Sequence, residues 1–408
     1  GTLNLTEDKQ YKINAFDWQE EFKEAFQDGG FDVVIGNPPW GGELTDDEIV
    51  YFDNNTNDKT HDTYILFIIQ ALERLLKHDS IFSFIIPRFV QFNRNMETIR
   101  RRLLHGLVSL TEVGICFKQA NTECLIFVYK NGSNVKFTRS LFYYPNEKPI
   151  FNRKISHKFI EKFPNCIYNV YVSDKEFAVL EKMSKNERTL ADVNPIGKII
   201  RGMEGYTVNI TTKRTDCKTI VGGELSRYIQ DVTLNCFVNE KYKEVSRLST
   251  VINKNKVLIR RVANRLIANV DYERNAFTKN LYAFYDSVYD LKFVLGLLNS
   301  RLMTFFLKKQ FTMRKEEIFP EIVSYQLKTL PIPNLDISKK SDKSTHDKLI
   351  TMVDNMLELK RREKNEQNQH TKTMIARQIT ALDKDIDKFV YALYDLTKDE
   401  ISVVENKR

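Results

Sequence analysis

Residues Phe31 to Trp40 read FDVVIGNPPW, and this stretch decides how the N-terminal part of the chain folds. The β-branched run from Val33 to Ile35 predicts a buried strand that ends at Gly36. Two prolines follow, and each of them fixes its own φ and lacks an N–H. The sequence therefore predicts a stiff loop, rich in carbonyl groups without matching donors, directly after a buried strand.

This loop offers the groups that would hold a planar ring with an exocyclic NH2. The Asn37 side chain and the Pro38 carbonyl are neighbouring acceptors, Pro39 stiffens the turn, and Trp40 adds a flat face for stacking. Such an amine is a poor nucleophile because its lone pair is delocalised into the ring. Two acceptors that hold both N–H bonds favour a more tetrahedral nitrogen, so catalysis would depend on positioning and electrostatics.

A Pro-Pro turn after a strand, closed by a core tryptophan, is the alternative interpretation of this loop. A bare Pro-Pro pair would favour that alternative. Asn-Pro-Pro-aromatic directly after a strand favours the amine-binding loop.

The stretch Phe31 to Trp40 resembles motif IV of the amino-methyltransferases that use S-adenosylmethionine. The preceding segment Ala15 to Phe22 and the pair Gly29-Gly30 resemble the lead-in of large γ-class N6-adenine DNA methyltransferases. Many of those are type IIG enzymes, with restriction and modification in one polypeptide. The aromatic residue of the motif is usually Tyr in that family, and Trp40 departs from it while keeping a stacking surface.

This resemblance implies site-specific transfer of a methyl group from S-adenosylmethionine to N6 of an adenine flipped out of double-stranded DNA, within a restriction–modification system. The base would be bound by Asn37 to Trp40 and stacked on Trp40 and Phe117, which matches the motif VIII aromatic. A core phenylalanine is the competing interpretation of Phe117. Asp62-Thr63-Tyr64 and Phe67 match motif V, and Asp62 and Tyr64 would contact the cofactor.

The cofactor half of such a site is incomplete in this sequence. A Rossmann-type sheet holds its cofactor at a Gly-rich turn, but the chain contains no G-x-G. In the γ class that motif lies upstream of motif IV. We therefore expect the isolated chain to be inactive and to need the missing N-terminal half of the same polypeptide as a partner.

Composition favours a soluble protein that binds a polyanion. The chain has 408 residues and a formal net charge of +8. Its six histidines show no ligand spacing and its five cysteines form no C-x-x-C, so we expect no metal site and a reducing compartment. The apolar runs are too short to span a bilayer and no signal peptide precedes them, which predicts a cytoplasmic protein without a membrane partner.

The predicted fold class is α/β: a partial Rossmann-like methyltransferase sheet, then an α+β target-recognition domain, then a C-terminal helical hairpin. The predicted domains are residues 1–145, 146–335 and 336–408. In the first domain we expect strands at 80–86, 111–117 and 124–129 and helices at 17–27, 64–76 and 96–104. Residues 41–63 predict a polar loop, for which a mobile lid and an ordinary solvated segment weigh equally.

The region from Asn165 to Pro333 resembles the C-terminal target-recognition domain of the same family, including its Leu-Leu-Asn-Ser helix and its Pro-Ile-Pro end. It carries a cation-rich strand at 256–265 and a helix at 291–307. Arg, Lys and Thr side chains contact phosphates and bases in DNA complexes. A solvated surface explains any one of these residues equally well, and only their clustering favours DNA. The DNA-facing candidates are Lys256, Arg260, Arg261, Arg265, Thr278, Lys279 and Lys308.

The C-terminal segment predicts a pair of helices. Apolar residues recur at spacings of four and three from Ile375 to Leu393, which is a heptad stripe. Residues 349–359 supply a facing helix, and residues 361–371 form a polar bend between the two. An antiparallel hairpin fits better than a dimeric coiled coil, because the partner helix is supplied in cis.

Two other functions stay open. Asn-Pro-Pro-aromatic also occurs in methyltransferases that act on RNA bases or on a protein glutamine amide, but those enzymes carry no long recognition domain after the catalytic fold. A DNA-binding module without catalysis of its own is the other alternative, because the cofactor site is incomplete.

Overall fold

The computed structural model describes residues 16–55, 60–117, 122–143, 150–185, 188–194, 199–203, 217–230, 236–238, 249–311 and 321–406. The chain divides into two compact units, Gly1–Val170 and Tyr171–Arg408. The predicted mixed α/β fold with a C-terminal helical region is confirmed.

The first unit contains a six-stranded mixed sheet. Its strands are β1 (Phe31–Gly36), β2 (Leu76–Pro87), β3 (Leu107–Gly114), β4 (Cys124–Lys130), β5 (Phe137–Phe142) and β6 (Ile150–Ser156). The strand order is β1-β2-β4-β3-β5-β6. The sheet continues past residue 145, where the sequence suggests a domain boundary, because β6 pairs with β5.

Four of the described strands of this sheet run in the same direction, because β5 is parallel to β3. β1 and β2 are parallel, and β2 and β3 are both antiparallel to β4. The segments that leave the C-terminal ends of β1, β2 and β3 therefore emerge at one edge of the sheet. This arrangement brings the loop at 37–42 and the segment at 115–117 to the same place.

β1 is the outer strand of the described sheet, and part of it is open to solvent. Val33 is 59% exposed and Ile35 is 78% exposed. The strand exists as predicted, but the prediction that it is buried is wrong for the described residues. β-branched residues favour a strand without revealing which neighbours cover it.

The helices of the first unit are α1 (Trp18–Glu21), α2 (Lys23–Gln27), α3 (Asp46–Asn55), α4 (Thr63–Gln70), α5 (Glu97–Leu104) and α6 (His157–Glu161). The predicted helix at 17–27 is interrupted at Phe22, whose ψ of 49° is not helical. The predicted helix at 64–76 is α4 followed by a π-helical turn, Ala71–Leu75. The predicted strand at 111–117 ends early, because β3 stops at Gly114.

The predicted polar loop at 41–63 contains α3. Its start is a capping box: the Thr45 hydroxyl accepts the Glu48 N–H at 3.4 Å, and the Glu48 carboxylate accepts the Thr45 N–H at 2.7 Å. The acidic residues in the first turn of α3 interact favourably with the positive end of the helix dipole. This helix is marked by its capping residues and not by a repeat of apolar residues. Apolar periodicity therefore did not predict it.

The described part of the second unit contains three small sheets. Its strands are β7 (Ile200–Arg201), β8 (Cys217–Ile220), β9 (Leu225–Ser226), β10 (Ile229–Gln230), β11 (Cys236–Val238), β12 (Lys256–Arg260), β13 (Ala268–Asp271), β14 (Ala276–Phe277) and β15 (Leu281–Tyr285). The four-stranded sheet has the order β13-β12-β15-β7, the three-stranded sheet has the order β11-β8-β14, and β9 pairs with β10.

The helices of the second unit are α7 (Asp174–Ser184), α8 (Ser249–Ile252), α9 (Leu291–Asn299), α10 (Arg301–Gln310), α11 (Ser324–Lys328), α12 (Lys340–Asn365), α13 (Gln369–Leu393) and α14 (Lys398–Val404). The single helix predicted at 291–307 is two helices. Ser300 breaks it with an extended ψ of 155°, and its hydroxyl accepts the Met303 N–H at 3.2 Å.

The long helices α12 and α13 pack against each other as the predicted hairpin. α9 packs on α12 at Gly296, where a Cβ would come within 2.9 Å of Val353 Cγ2. Among the described helices, none combines the length and apolarity that crossing a bilayer requires. Within the same residues, no cluster of His, Cys, Asp or Glu could hold a metal ion.

A buried ion pair joins β12 to β13. Lys256 Nζ lies 2.7 Å from the Asp271 carboxylate, and both side chains are 0% exposed. The two residues are opposite each other in the strand register. Lys256 Nζ also donates to the Ile252 carbonyl at 3.2 Å, and Asp271 accepts the Asn275 N–H at 2.9 Å. The pair is therefore part of the core of this sheet.

We expect Lys256→Met to lower the free energy of unfolding by about 3–5 kcal/mol, because the Asp271 carboxylate would stay buried without its partner. Denaturant unfolding of the chain measures this change.

Lys254→Met is the matched control. Lys254 pairs with Asp286 at 3.0 Å, but its side chain is 49% exposed. We expect this substitution to change the free energy of unfolding by less than about 1 kcal/mol. Equal effects of the two substitutions would contradict a core role for Lys256.

Candidate active site

The predicted catalytic loop lies at the C-terminal end of β1. Asn37 is exposed, and within the described part of the chain its side-chain amide makes no hydrogen bond. Pro38 is buried, and Pro39 is exposed. The Asn37 amide is therefore free to bind a ligand, while Pro38 anchors the loop in the protein.

Trp40 and Phe117 come together although they are distant in sequence. Their ring centroids lie 5.3 Å apart and their planes are inclined by 77°, an edge-to-face contact. Phe117 is 36% exposed, so it is not a core phenylalanine. A flat base cannot lie between the rings in this arrangement, and stacking on both would require one ring to turn.

Asp62 and Tyr64, the predicted cofactor residues, stand at the start of α4. Tyr64 is buried, and its hydroxyl has no hydrogen-bond partner among the described residues. Burial, and to a smaller extent the Asp62 charge, raises the pKa of Tyr64. The hydroxyl therefore stays protonated at neutral pH and is available to a polar ligand.

Thr63, between these two residues, holds the catalytic loop. Its hydroxyl donates to the Pro39 carbonyl at 2.8 Å and accepts the Gly42 N–H at 3.2 Å. Thr63 lies within the motif V match, but the sequence predicted no role for it. Its role in holding the loop is visible only in these contacts, because Pro39 and Gly42 are distant from it in sequence.

Arg88 holds the segment that carries Phe117. Arg88 is buried after β2, and its guanidinium donates to Glu112 at 3.1 Å and to Glu123 at 2.8 Å. Glu112 lies near the end of β3 and Glu123 directly before β4. Arg88 thus ties together the two ends of the connection that bears Phe117, a function that no sequence pattern marks.

Lys256, the first of the predicted DNA-facing residues, cannot contact DNA in this structure. It is fully buried, and its charge is compensated by Asp271. The sequence predicted a cation-rich strand over 256–265, but β12 is an inner strand of its sheet and ends at Arg260.

Four other candidates lie where β12 ends and β15 begins: Arg260, Arg261, Thr278 and Lys279. The Arg261 guanidinium pairs with Glu321. Thr278 is buried, and its hydroxyl has no partner among the described residues. Arg201, which the sequence pattern did not single out, joins the group by donating to the Lys279 carbonyl at 3.3 Å.

Arg265 and Lys308 belong to a second cationic group. The pKa of Lys308 is lowered, chiefly by desolvation and to a smaller extent by the charges of Arg265 and Lys309. The pKa of Arg265 is also lowered, chiefly by desolvation and to a smaller extent by the charge of Arg227. Among the described residues Lys308 has no carboxylate partner. The group is partly neutralised, because Arg227 pairs with Asp383 and Lys309 with Glu176.

Two protein-family models match the chain. Residues 2–109 match the Eco57I restriction-modification methylase family, in the region that contains β1, the loop at 37–42 and α4. Residues 217–332 match the TaqI-like C-terminal specificity domain, in the region that contains most of both cationic groups. The first unit is thus similar to a restriction-modification methylase, and the second to a specificity domain.

A protein of Methanocaldococcus jannaschii, named as a type II restriction enzyme and methyltransferase, is 23% identical over 349 residues, which are 79% of this chain and 29% of that protein. The solved structure of the type IIL restriction-modification enzyme MmeI in complex with DNA has a TM-score of 0.55 and is 12% identical, covering 95% of this chain and 57% of that chain. The type IIG restriction endonuclease BpuSI has a TM-score of 0.34 and is 14% identical, covering 89% of this chain and 54% of that chain. The chain therefore spans under a third of the M. jannaschii protein, and the likeness to MmeI supports the fold alone.

We expect Tyr64→Phe to leave the free energy of unfolding unchanged or to raise it by up to about 1 kcal/mol, because it removes a buried hydroxyl that has no partner. Denaturant unfolding measures the difference.

Tyr168→Phe is the matched control, since Tyr168 is equally buried in the same unit but donates its hydroxyl to the Arg100 carbonyl. We expect it to lower the free energy of unfolding by about 1–2 kcal/mol. A similar loss in Tyr64→Phe would show that the Tyr64 hydroxyl has a partner inside the protein.

Proposed function

We propose that this chain is the catalytic-loop and target-reading part of a DNA methyltransferase in a restriction–modification system. In this proposal the enzyme transfers a methyl group from S-adenosylmethionine to N6 of an adenine flipped out of double-stranded DNA. Residues 2–109 and 217–332, which match a restriction-modification methylase and a specificity domain, support the general class. The chemistry of the loop at 37–42 supports the finer assignment.

The exposed Asn37 amide beside the Pro38 carbonyl is the observation that carries this proposal. Two neighbouring acceptors can hold both N–H bonds of an exocyclic amine while Trp40 and Phe117 supply apolar faces for the ring. The nitrogen can lose its proton to solvent after attack, so the loop needs no side-chain base. Because Trp40 and Phe117 touch edge to face, base entry would separate them.

The residues at the start of α4 fit a polar cofactor in part. S-adenosylmethionine supplies the electrophilic methyl group when it is bound. The orphaned Tyr64 hydroxyl and the nearby Asp62 carboxylate are suited to hydrogen-bond to it. With no G-x-G in the sequence, these residues form only one side of a cofactor site.

The open edge of β1 supports a role for an upstream part of the same polypeptide. Val33 and Ile35 expose apolar side chains, and on its outer side β1 has no strand partner among the described residues. In this proposal, upstream strands would pair with β1, cover its open face and complete the cofactor site. The isolated chain would then be inactive.

The second unit would read the DNA. The groups around Arg261 and around Lys308 each contain several cations, some of them paired with carboxylates, and the chain as a whole carries a net charge of +8. We also place the protein in the cytoplasm, where its DNA substrate would be. The incomplete cofactor site favours one alternative, a DNA-binding module without catalysis of its own.

We use the term intact polypeptide for this chain together with the upstream part that the proposal requires. In the intact polypeptide, Asn37→Ala should lower methyl transfer to DNA at least about 100-fold, because one of the two acceptors that orient the amine is lost. DNA affinity should stay near that of the parent. Transfer of a tritiated methyl group and fluorescence anisotropy of labelled DNA measure the two quantities.

Asn134→Ala is the control for Asn37→Ala. Asn134 is also exposed, but it follows β4, whose C-terminal end lies at the opposite edge of the sheet. This variant should keep parental activity. Full activity in Asn37→Ala would refute the role of Asn37.

Ile35→Lys should leave the stability of the 408-residue chain nearly unchanged, because Ile35 is 78% exposed there. In the intact polypeptide it should weaken S-adenosylmethionine binding, because the charge would be buried against the upstream strands. Isothermal titration measures the affinity. Ile150→Lys is the control, because Ile150 lies on the other edge strand, β6, and is 52% exposed. Equal cofactor affinities in the two variants would contradict the docking of upstream strands at β1.

A further inference from the structure

The Thr63 hydroxyl joins the first turn of α4 to both ends of the turn that carries Trp40. It donates to the Pro39 carbonyl at 2.8 Å and accepts the Gly42 N–H at 3.2 Å. Thr63 itself is buried, whereas Pro39 and Gly42 are exposed, so the two bonds attach an exposed loop to a buried side chain. A single side chain therefore spans residues 39–42.

α4 does not use this hydroxyl to cap itself. Asp62 occupies the N-cap position, and its carbonyl accepts the Ile65 N–H at 2.9 Å. A capping hydroxyl would accept an N–H of its own helix instead. The Thr63 hydroxyl is directed at the loop, and a local helix-stabilising role does not account for it.

The loop has few other means of holding its shape. Pro38 and Pro39 have no N–H to donate, and Gly41 has a φ of +70°, where glycine is unstrained. The indole Nε1 of Trp40 is buried but has no partner within the described ranges. The Thr63 methyl also packs on Gly42, where a Cβ would come within 3.0 Å of Cγ2.

We infer that Thr63 is a positioning residue for the proposed methyl transfer. Its hydroxyl fixes the face of Trp40 and, through the rigid Pro38-Pro39 pair, the two acceptors that would hold the target amine. The catalytic consequence rests on the proposed function, whereas the effect on the loop does not. A displaced acceptor impairs alignment of the amine with the methyl donor more than it impairs DNA binding. Loss of the Thr63 hydroxyl should therefore lower kcat and leave the KM for DNA unchanged.

Tryptophan fluorescence of the 408-residue chain tests the effect on the loop. The sequence contains two tryptophans, so Trp18→Phe leaves Trp40 as the single emitter. Thr63→Val keeps the shape of the side chain and removes the hydroxyl. We expect stronger acrylamide quenching and lower anisotropy of Trp40, because the population of released loop rises by about 5- to 30-fold. Thr63→Ser keeps the hydroxyl and should restore parental values.

Thr138→Val is the matched control. Thr138 is buried in the same unit, and its hydroxyl donates to the Leu107 carbonyl at 2.9 Å. This variant should lower stability and leave the Trp40 signal unchanged. A parental Trp40 signal in Thr63→Val, or the same shift in Thr138→Val, would overturn the inference.

Kinetics of the intact polypeptide test the catalytic consequence. Thr63→Val should lower kcat by about 5- to 30-fold with the KM for DNA unchanged, and Thr63→Ser should recover kcat. An unchanged kcat beside a shifted Trp40 signal would overturn the catalytic part of the inference and leave the proposed function standing. Absence of methyl transfer in the parent would overturn the proposed function, and the fluorescence would still decide whether Thr63 holds the loop.

Discussion

The parallel pairing of β1 with β2 is the constraint on which the first unit depends. Gly36 at the end of β1 is opposite Phe84, and a Cβ on Gly36 would come within 3.1 Å of the Phe84 ring. The strand therefore ends in a residue without a side chain at this close contact. Since β3 runs in the same direction, the three strand ends share an edge, and Trp40 meets Phe117 there.

The groups at this edge are suited to hold a ring rather than to move protons. The Asn37 amide and the Pro38 carbonyl are neutral acceptors, and burial keeps the Tyr64 hydroxyl protonated. Cations that could contact a phosphate backbone are concentrated in the second unit, around Arg261 and Lys308. In the proposed function, the first unit therefore holds the base and the second unit contacts the duplex.

Sequence patterns predicted the elements that local interactions determine. The β-branched run of β1 and the heptad stripe of α13 both formed as expected, because periodicity reflects the conformation of the segment itself. Periodicity could not predict three other features, because each depends on a particular contact. The exposure of Ile35 depends on which strands flank β1, and the burial of Lys256 depends on Asp271 in the neighbouring strand. The break at Ser300 depends on the hydroxyl that caps the next helix. The role of Thr63 was not predicted for the same reason, since its hydrogen-bond partners lie far from it in sequence.

The identity of the modified base is the most direct test of the central claim that the loop at 37–42 positions an adenine for methylation. DNA from a host that expresses the intact polypeptide can be sequenced by a method that distinguishes N6-methyladenine from N4-methylcytosine. The account predicts N6-methyladenine at one recurring sequence. N4-methylcytosine in its place, or DNA without any modified base, would contradict it.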